Sequence, residues 1–277
     1  MRAGVIGWPI DHSLSPRLHG YWLDQYGIDG TYEPIAIAPE DLDARMASLS
    51  GEGFRGVNVT VPHKETVMAS LDQIDDLARR IGAVNTIVFD ESGKSSGTNT
   101  DGYGFIQNIL QSQPDMDFKS GPAVVLGAGG AARAICVALM DAGVPEIRLL
   151  NRTLERAQGL ASDISGPITI VDWSKRNRAL GEANLVVNTT TLGMVGKPAL
   201  ELDLSDLADT ACVTDIVYAP LETPLLKAAA LRGNPVVGGI GMLLHQARPG
   251  FEAWFGHAPE VTLELRAHVL AGVGGKE

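Results

Sequence analysis

Short apolar runs alternate along this chain with longer stretches whose apolar residues recur at steps of three and four. Residues 3–7 form an apolar run ended by Gly7 and Pro9, which reads as a buried strand. Ser15-Pro16 then opens a helix, the serine as its cap and the proline in its first turn. Leu18, Tyr21, Trp22 and Tyr26 keep helical spacing, and Gly27 ends the run. The pattern next predicts a strand over 31–37, a helix over 39–49, and a strand over 56–61. Helical stretches over 63–71 and 74–81 and a β-rich run over 86–89 follow. Strands alternating with ten-residue helices predict an α/β fold with a largely parallel sheet.

A second α/β series begins after Asp101, with a helix over 103–110 and a polar connection carrying Pro114 and Pro122. The apolar strand 123–126 runs directly into Gly127-Ala128-Gly129-Gly130, and 131–142 is a strong helix former. Further strands are expected at 147–150, 168–171, 185–188, 213–217 and 236–237, with helices at 154–164 and 223–231. An apolar helix from Met242 to about Phe255 follows Gly238-Gly239-Ile240-Gly241. The expected organisation is therefore two domains. Residues 1–101 form an α/β domain to which 239–277 return, and 102–238, with the strand–glycine–helix stretch at 123–142, form a Rossmann-like domain.

Composition narrows the class of partner. With 22 basic and 33 acidic side chains in 277 residues, the formal charge is −11. Nucleic acid and anionic membrane are disfavoured, because phosphate binding needs clustered Lys and Arg. No run of eighteen apolar residues is present, and the N-terminal apolar stretch is too short and broken for a signal peptide. Cys136 and Cys212 lack metal-site spacing, so neither zinc nor a disulfide framework is expected. A soluble, cytoplasmic, globular protein is expected from these features, which leave its function open.

The glycine run at 127–130 carries the first chemistry. Gly127-Ala128-Gly129-Gly130-Ala131-Ala132 fits G-x-G-x-x-A between a strand and a helix. Its glycines allow a tight turn and let the backbone approach a pyrophosphate, which the helix N-terminus attracts. An NAD site places Asp or Glu at the end of the following strand, to hold the ribose hydroxyl. Here Asn151-Arg152-Thr153 and Arg156 stand instead. Guanidinium groups suit a 2′-phosphate, so NADP is the expected cofactor.

Small polar residues crowd the strand ends of the first domain: Ser13, Ser15, Asn58, Thr60, Lys64, Asn85, Thr86 and Asp101. Open α/β sheets bind ligands at those ends. Lys64 is expected at a helix start, where a cation is mildly disfavoured by the dipole and needs another reason to be there.

Together these segments resemble the shikimate dehydrogenase family over nearly the whole chain. The resemblance rests on Ser13-Leu14-Ser15-Pro16, Asn58-Val59-Thr60-Val61-Pro62-His63-Lys64, Gly82-Ala83-Val84-Asn85-Thr86 and Asn99-Thr100-Asp101-Gly102. It continues through the 127–131 loop, Asn151-Arg152-Thr153, Asn188-Thr189-Thr190, Asp215-Ile216-Val217-Tyr218 and residues 239–246. It implies reversible NADPH-dependent reduction of 3-dehydroshikimate to shikimate, a step of aromatic amino-acid biosynthesis. It further implies that Ser13 and Ser15, with Tyr218 nearby, hold the substrate carboxylate. Asn58, Thr60, Asn85, Asp101 and Gln246 would bind ring hydroxyls, and Lys64 would handle the proton with Asp101 as its partner. NADP would be lined by Asp76, Gly127, Ala128, Gly129, Gly130, Ala131, Asn151, Arg152, Thr153, Arg156, Ile216 and Gly239. Two residues depart from the family pattern: Thr191 stands where Ser is common, and Ile216 where Met is common. Three alternatives stay open: a quinate/shikimate enzyme, a non-enzymatic NADP-binding sensor, and a folate-type dehydrogenase of similar layout.

Overall fold

The apolar run at the N-terminus becomes strand β1 (Arg2–Gly7), five of whose six residues are buried. A strand covered on both faces needs neighbours on both edges. In the computed structural model, which describes residues 1–273, β1 lies between two parallel partners. These are β2 (Thr31–Ala36) and β3 (Phe54–Val59), reached through helices α1 (Ser15–Gln25) and α2 (Leu42–Leu49). Beyond them come β4 (Gln73–Ile74), α3 (Asp76–Ile81), β5 (Thr86–Phe89) and β6 (Ser95–Thr98). The sheet order is β2-β1-β3-β5-β6-β4, with β5 antiparallel to both β3 and β6. The expected parallel character thus holds on one side of this sheet, while the other side is mixed.

The chain divides into two compact units. The first comprises Met1–Asp101 together with the chain from Leu243 on, and the second is Gly102–Met242. Helix α4 (Asp101–Ser112) leads into the second unit, whose elements are β7 (Ala123–Leu126), α5 (Gly130–Asp141), β8 (Ile147–Leu150) and α6 (Leu154–Ile164). They continue with β9 (Ile168–Ile170), β10 (Leu185–Asn188), β11 (Cys212–Asp215), α7 (Pro224–Leu231) and β12 (Val236–Val237). Its sheet runs β12-β11-β10-β7-β8-β9 and every pairing is parallel. That is the doubly wound order 3-2-1-4-5-6, which reverses between β7 and β10 and leaves a crevice above their carboxyl ends. All four residues of β7 and of β10 are buried, as central parallel strands require. Helices α8 (Ile240–Phe255) and α9 (Leu263–Leu270) close the described chain. No helix of the described residues is long and apolar enough to cross a membrane.

Several local expectations give way to tertiary demands. Ser15 is not the cap of α1: Leu14 holds that position, and Ser13 Oγ instead accepts from the Ser15 N–H at 3.3 Å. The stretch after Pro62 forms only a 3₁₀ turn at Thr66–Ser70, so Lys64 precedes it in a turn and faces no helix dipole. The helix expected over 74–81 is split. Gln73–Ile74 pairs with β6, and Asp75 caps α3 by accepting from Ala78 N–H at 2.7 Å.

The first unit buries Ile6, Val57, Val59 and Ile87 under α2, and an aromatic group under α8. His19 sits in that group at 0% exposure, stacked flat on Tyr32 and near Trp22, Phe251 and Trp254. Neither of its ring nitrogens has a hydrogen-bond partner. Burial pushes its pKa down to about 3, against the opposing influence of the nearby Asn58 amide. An unfolded histidine titrates near 6.5, so below that pH the unfolded chain holds a proton that the folded chain refuses. Stability carried by this ring is complete above about pH 6.5 and falls as the pH drops toward 3. Between pH 7.5 and 5 the loss should be about 2 kcal/mol. His245, lowered to about 4 by burial, adds to the same trend. Urea unfolding at both pH values should show His19→Phe losing about 2 kcal/mol less than wild type. Equal losses in the two proteins would assign the acid sensitivity to other groups.

Candidate active site

Asn85 lies just before β5, where the antiparallel strand begins. Its backbone is already part of the sheet, with N–H donating to Thr98 O at 3.0 Å and O accepting from Val59 N–H at 2.8 Å. The side chain is therefore fixed in direction, and at 2% exposure it must find partners inside. Its Oδ1 accepts from Thr100 N–H at 2.8 Å and Thr86 Oγ1 at 2.9 Å. Its Nδ2 has three acceptors in reach: Asp101 Oδ1 at 2.8 Å, Thr100 Oγ1 at 3.0 Å and Gln246 Oε1 at 3.2 Å. Two hydrogens serve three oxygens, so one acceptor is always available to a ligand.

Asp101, 4% exposed, opens α4 and also receives Lys64 Nζ on its other oxygen at 2.5 Å. Its backbone N–H donates to Asn99 Oδ1 at 3.0 Å, and Asn99 is anchored to Ala83 O at 2.9 Å. Lys64 is held from behind by its own carbonyl, which accepts from Val84 N–H at 2.8 Å. His63 pins the same turn, its Nε2 lying 2.7 Å from Ile37 O. Thr100 Oγ1 donates to Gln246 O at 2.8 Å, so α8 brings Gln246 to the cluster although 146 residues separate the pair. Lys64, Asn85, Asp101 and Gln246 form one network. It joins a cation that can move a proton to amides and a carboxylate that can hold hydroxyls.

Asn58, at 5% exposure, stands beside this network and donates through Nδ2 to Asn85 O and Thr86 Oγ1, both at 3.1 Å. Thr60 follows β3, half-buried. Ser13 is half-buried and Ser15 buried, at the start of α1. Asp76 stands apart, exposed in the first turn of α3. Sequence reasoning gave no role to Asn99, Thr100 or His63, although all three lie within the motifs it singled out. Their signal is a small polar or imidazole side chain next to a residue of interest, readable only once the backbone brings the carbonyls near.

In the second unit, β7 ends in the glycine loop. Gly127 has φ +112°, and a Cβ there would strike Thr189 Oγ1, so only glycine is accommodated. At Gly129, the residue before α5, a Cβ would meet open space, and no side chain caps the helix. The loop thus leads into a helix start with no side-chain cap and open space at Gly129, which suits a pyrophosphate. Ala128, Gly130 and Ala131 are half-buried along it. Past β8, Asn151 Nδ2 donates to Thr153 O at 2.8 Å, turning the chain into α6. Arg152, Thr153 and Arg156 are exposed there, and among the described residues no ion pair engages either arginine.

Asp215 closes β11, fully buried, with no cation bonded to it. Its Oδ1 accepts from Asn188 Nδ2 and from Val217 N–H, each at 3.0 Å, and its Oδ2 from Thr223 Oγ1 at 2.7 Å. Burial raises its pKa above the ordinary carboxylate value despite those three bonds. The node folds the 216–223 segment, placing Ile216 and Tyr218 half-buried. Gly239 approaches this segment so closely that a Cβ would meet the Ile216 carbonyl. Burial also raises the Tyr218 phenol. Among the described residues no cluster of His, Cys, Asp and Glu could hold a metal.

Comparison with known proteins places the chain among dehydrogenases. The shikimate dehydrogenase substrate binding domain matches residues 5–87, and the shikimate/quinate 5-dehydrogenase family matches 108–200. A shikimate dehydrogenase (NADP(+)) of Paramagnetospirillum magneticum is 60% identical over 269 residues, spanning 97% of this chain and 98% of the relative. The shikimate 5-dehydrogenase of Thermus thermophilus, solved with NADP(H) and shikimate, superposes with TM-score 0.85 at 36% identity, covering 98% of each chain. A quinate dehydrogenase from Corynebacterium glutamicum, solved with NAD, superposes with TM-score 0.90 at 33% identity, over 98% of this chain and 99% of that one.

Proposed function

Because this chain belongs to the shikimate dehydrogenase family, we propose that it interconverts 3-dehydroshikimate and shikimate with NADP as the redox partner. It is thus an oxidoreductase of aromatic amino-acid biosynthesis. The observation that carries the reading is the pairing of half-buried Lys64 with buried Asp101 at 2.5 Å, bonded through Asn85 to Gln246. A surface lysine would have no reason to sit in such a cluster.

In this reading the first unit binds the substrate and the second the cofactor. Ser13 and Ser15, with Tyr218, meet the carboxylate, while Asn58, Thr60, Asn85, Asp101 and Gln246 meet the ring hydroxyls. A site built for particular hydroxyls loses affinity steeply for a ligand lacking one, since its buried amides are left unpaired. NADP supplies hydride exchange at the substrate's C3 carbon when it is bound. In the reducing direction negative charge grows on the C3 oxygen, and the Lys64 ammonium neutralises it and delivers the proton. In the other direction Lys64 receives the hydroxyl proton. Asp101 fixes the direction of the ammonium and accepts from a substrate hydroxyl with its remaining lone pairs.

The glycine cradle fits a dinucleotide. Gly127, Ala128, Gly129, Gly130 and Ala131 would hold its pyrophosphate, and Asn151, Arg152, Thr153 and Arg156 its adenosine ribose. Ile216 and Gly239 would line its nicotinamide end, with Asp76 a further contact. An NAD-type site calls for an acid at the end of β8, and Asn151 stands there instead. The two unpaired arginines favour a 2′-phosphate. The substrate cluster is assembled within one chain, so a monomer suffices for it and a homodimer is compatible, and a cytoplasmic location fits a step of amino-acid biosynthesis. The acidic balance speaks against a nucleic-acid partner.

Steady-state kinetics test the catalytic assignment. Lys64→Ala should lower kcat by ~10²–10⁴-fold with little change in KM for shikimate. Asp101→Ala should lower kcat and also raise that KM. A Lys64→Ala enzyme turning over within about threefold of wild type would end the assignment. Cofactor choice has its own test. Arg152→Ala should lose about 1.5–3 kcal/mol of NADP affinity, and far less for NAD. Equal losses for both cofactors would make the arginine structural.

A further inference from the structure

Asn58 is held in a way that settles which face of its amide a ligand can meet. Its Nδ2 donates to the Asn85 backbone carbonyl and to Thr86 Oγ1. A backbone carbonyl only accepts, so the amide nitrogen must point toward it and the group cannot be turned over. The oxygen then faces Tyr32, whose phenol O–H donates to Asn58 Oδ1 at 2.6 Å. Tyr32 is buried, and its ring lies on the His19 imidazole with centroids 3.8 Å apart and planes 5° from parallel. Neither imidazole nitrogen makes a well-formed hydrogen bond, and the phenol proton goes to Asn58 Oδ1 instead of to His19. It acts as a flat wall that fixes the plane of the tyrosine ring.

We propose that Tyr32 is a positioning residue for substrate recognition, locking the Asn58 amide so that its single remaining capacity is a lone pair on Oδ1. This rests on the reading of Asn58 as a residue that meets shikimate's ring hydroxyls, and it deepens that reading. Both amide hydrogens are taken by Asn85 O and Thr86 Oγ1, so Asn58 offers nothing to a carbonyl or a carboxylate. It recognises a hydroxyl that donates. Removing the phenol leaves a buried amide oxygen short of its donor, and the side chain gains freedom to tilt away from the substrate. Tyr32 itself touches no reacting atom in this scheme.

Tyr32→Phe deletes the hydroxyl and keeps the ring against His19. KM for shikimate should rise about five- to tenfold, while kcat and KM for NADP stay within about twofold. In an Asn58→Ala background the same substitution should change KM for shikimate by less than about twofold, because the phenol acts through the amide. An unchanged KM in Tyr32→Phe, or the same factor in both backgrounds, overturns the proposal. If Asn58→Ala alone leaves KM unchanged, the substrate role of Asn58 is what fails, and the proposal falls with it. Shikimate analogues with each ring hydroxyl replaced in turn by fluorine, which cannot donate, are tested as competitors. At least one should lose more than about fivefold relative to shikimate in the wild type but less than about twofold in Asn58→Ala, and a set with the same losses in both proteins overturns the proposal.

Discussion

The buried carboxylate of Asp101 is the constraint around which the first unit is arranged. A charge at 4% exposure is tolerated only when it is paired and hydrogen-bonded. Lys64 supplies the pairing and Asn85 the neutral bond, from two different loops. Bringing them there requires β3 beside β5, the antiparallel turn of β5 against β6, and α8 close enough for Gln246 to join. The same bonds that make the charge bearable place a proton-carrying ammonium among hydroxyl-binding amides. Stability and proposed chemistry are therefore two consequences of one arrangement.

Amide side chains at strand ends do this work in both units. Asn85 and Asn58 have backbones already bonded into a sheet, so their side chains are aimed by the strand itself. Asn188 does the same at the end of β10, holding the buried Asp215 and, through it, the segment with Ile216 and Tyr218. An amide is suited to the task because one group offers both donors and acceptor, and a fixed backbone carbonyl decides which way it faces. Tyr32 extends this logic one layer further from the ligand.

Strands 86–89, 123–126, 147–150 and 185–188 and the helix over 154–164 were legible from periodicity alone, because buried strands are continuous apolar runs. Other elements were not. Strand β6 is Ser-Ser-Gly-Thr, with only Ser95 and Gly97 buried, and pairs because β5 and β4 flank it. Helix α9 has almost no apolar asymmetry, yet packs on α1 through Leu265 and Val269. The split of 74–81 came from pairing with β6, whereas the shift of the α1 cap to Leu14 goes with a local bond from Ser15 N–H to Ser13 Oγ.

The same division runs through the site. Sequence by itself determined the glycine loop, the Asn in place of an acid at the end of β8, and the residue types from which a hydroxyl-binding, proton-moving cluster could be built. It could do so because those features are local: a turn needing φ above zero, a strand end, a side-chain charge. Tertiary structure alone decided that Asp101 is buried, with Lys64 on one of its oxygens and Asn85 on the other. It alone oriented the Asn58 amide and brought in Tyr32, His63 and Thr100. Those outcomes depend on groups 26 to 146 residues apart, such as Tyr32 with Asn58 and Thr100 with Gln246. Hydrogen bonds are short and directional, so which distant donor meets which acceptor is settled only when the sheets and helices have packed.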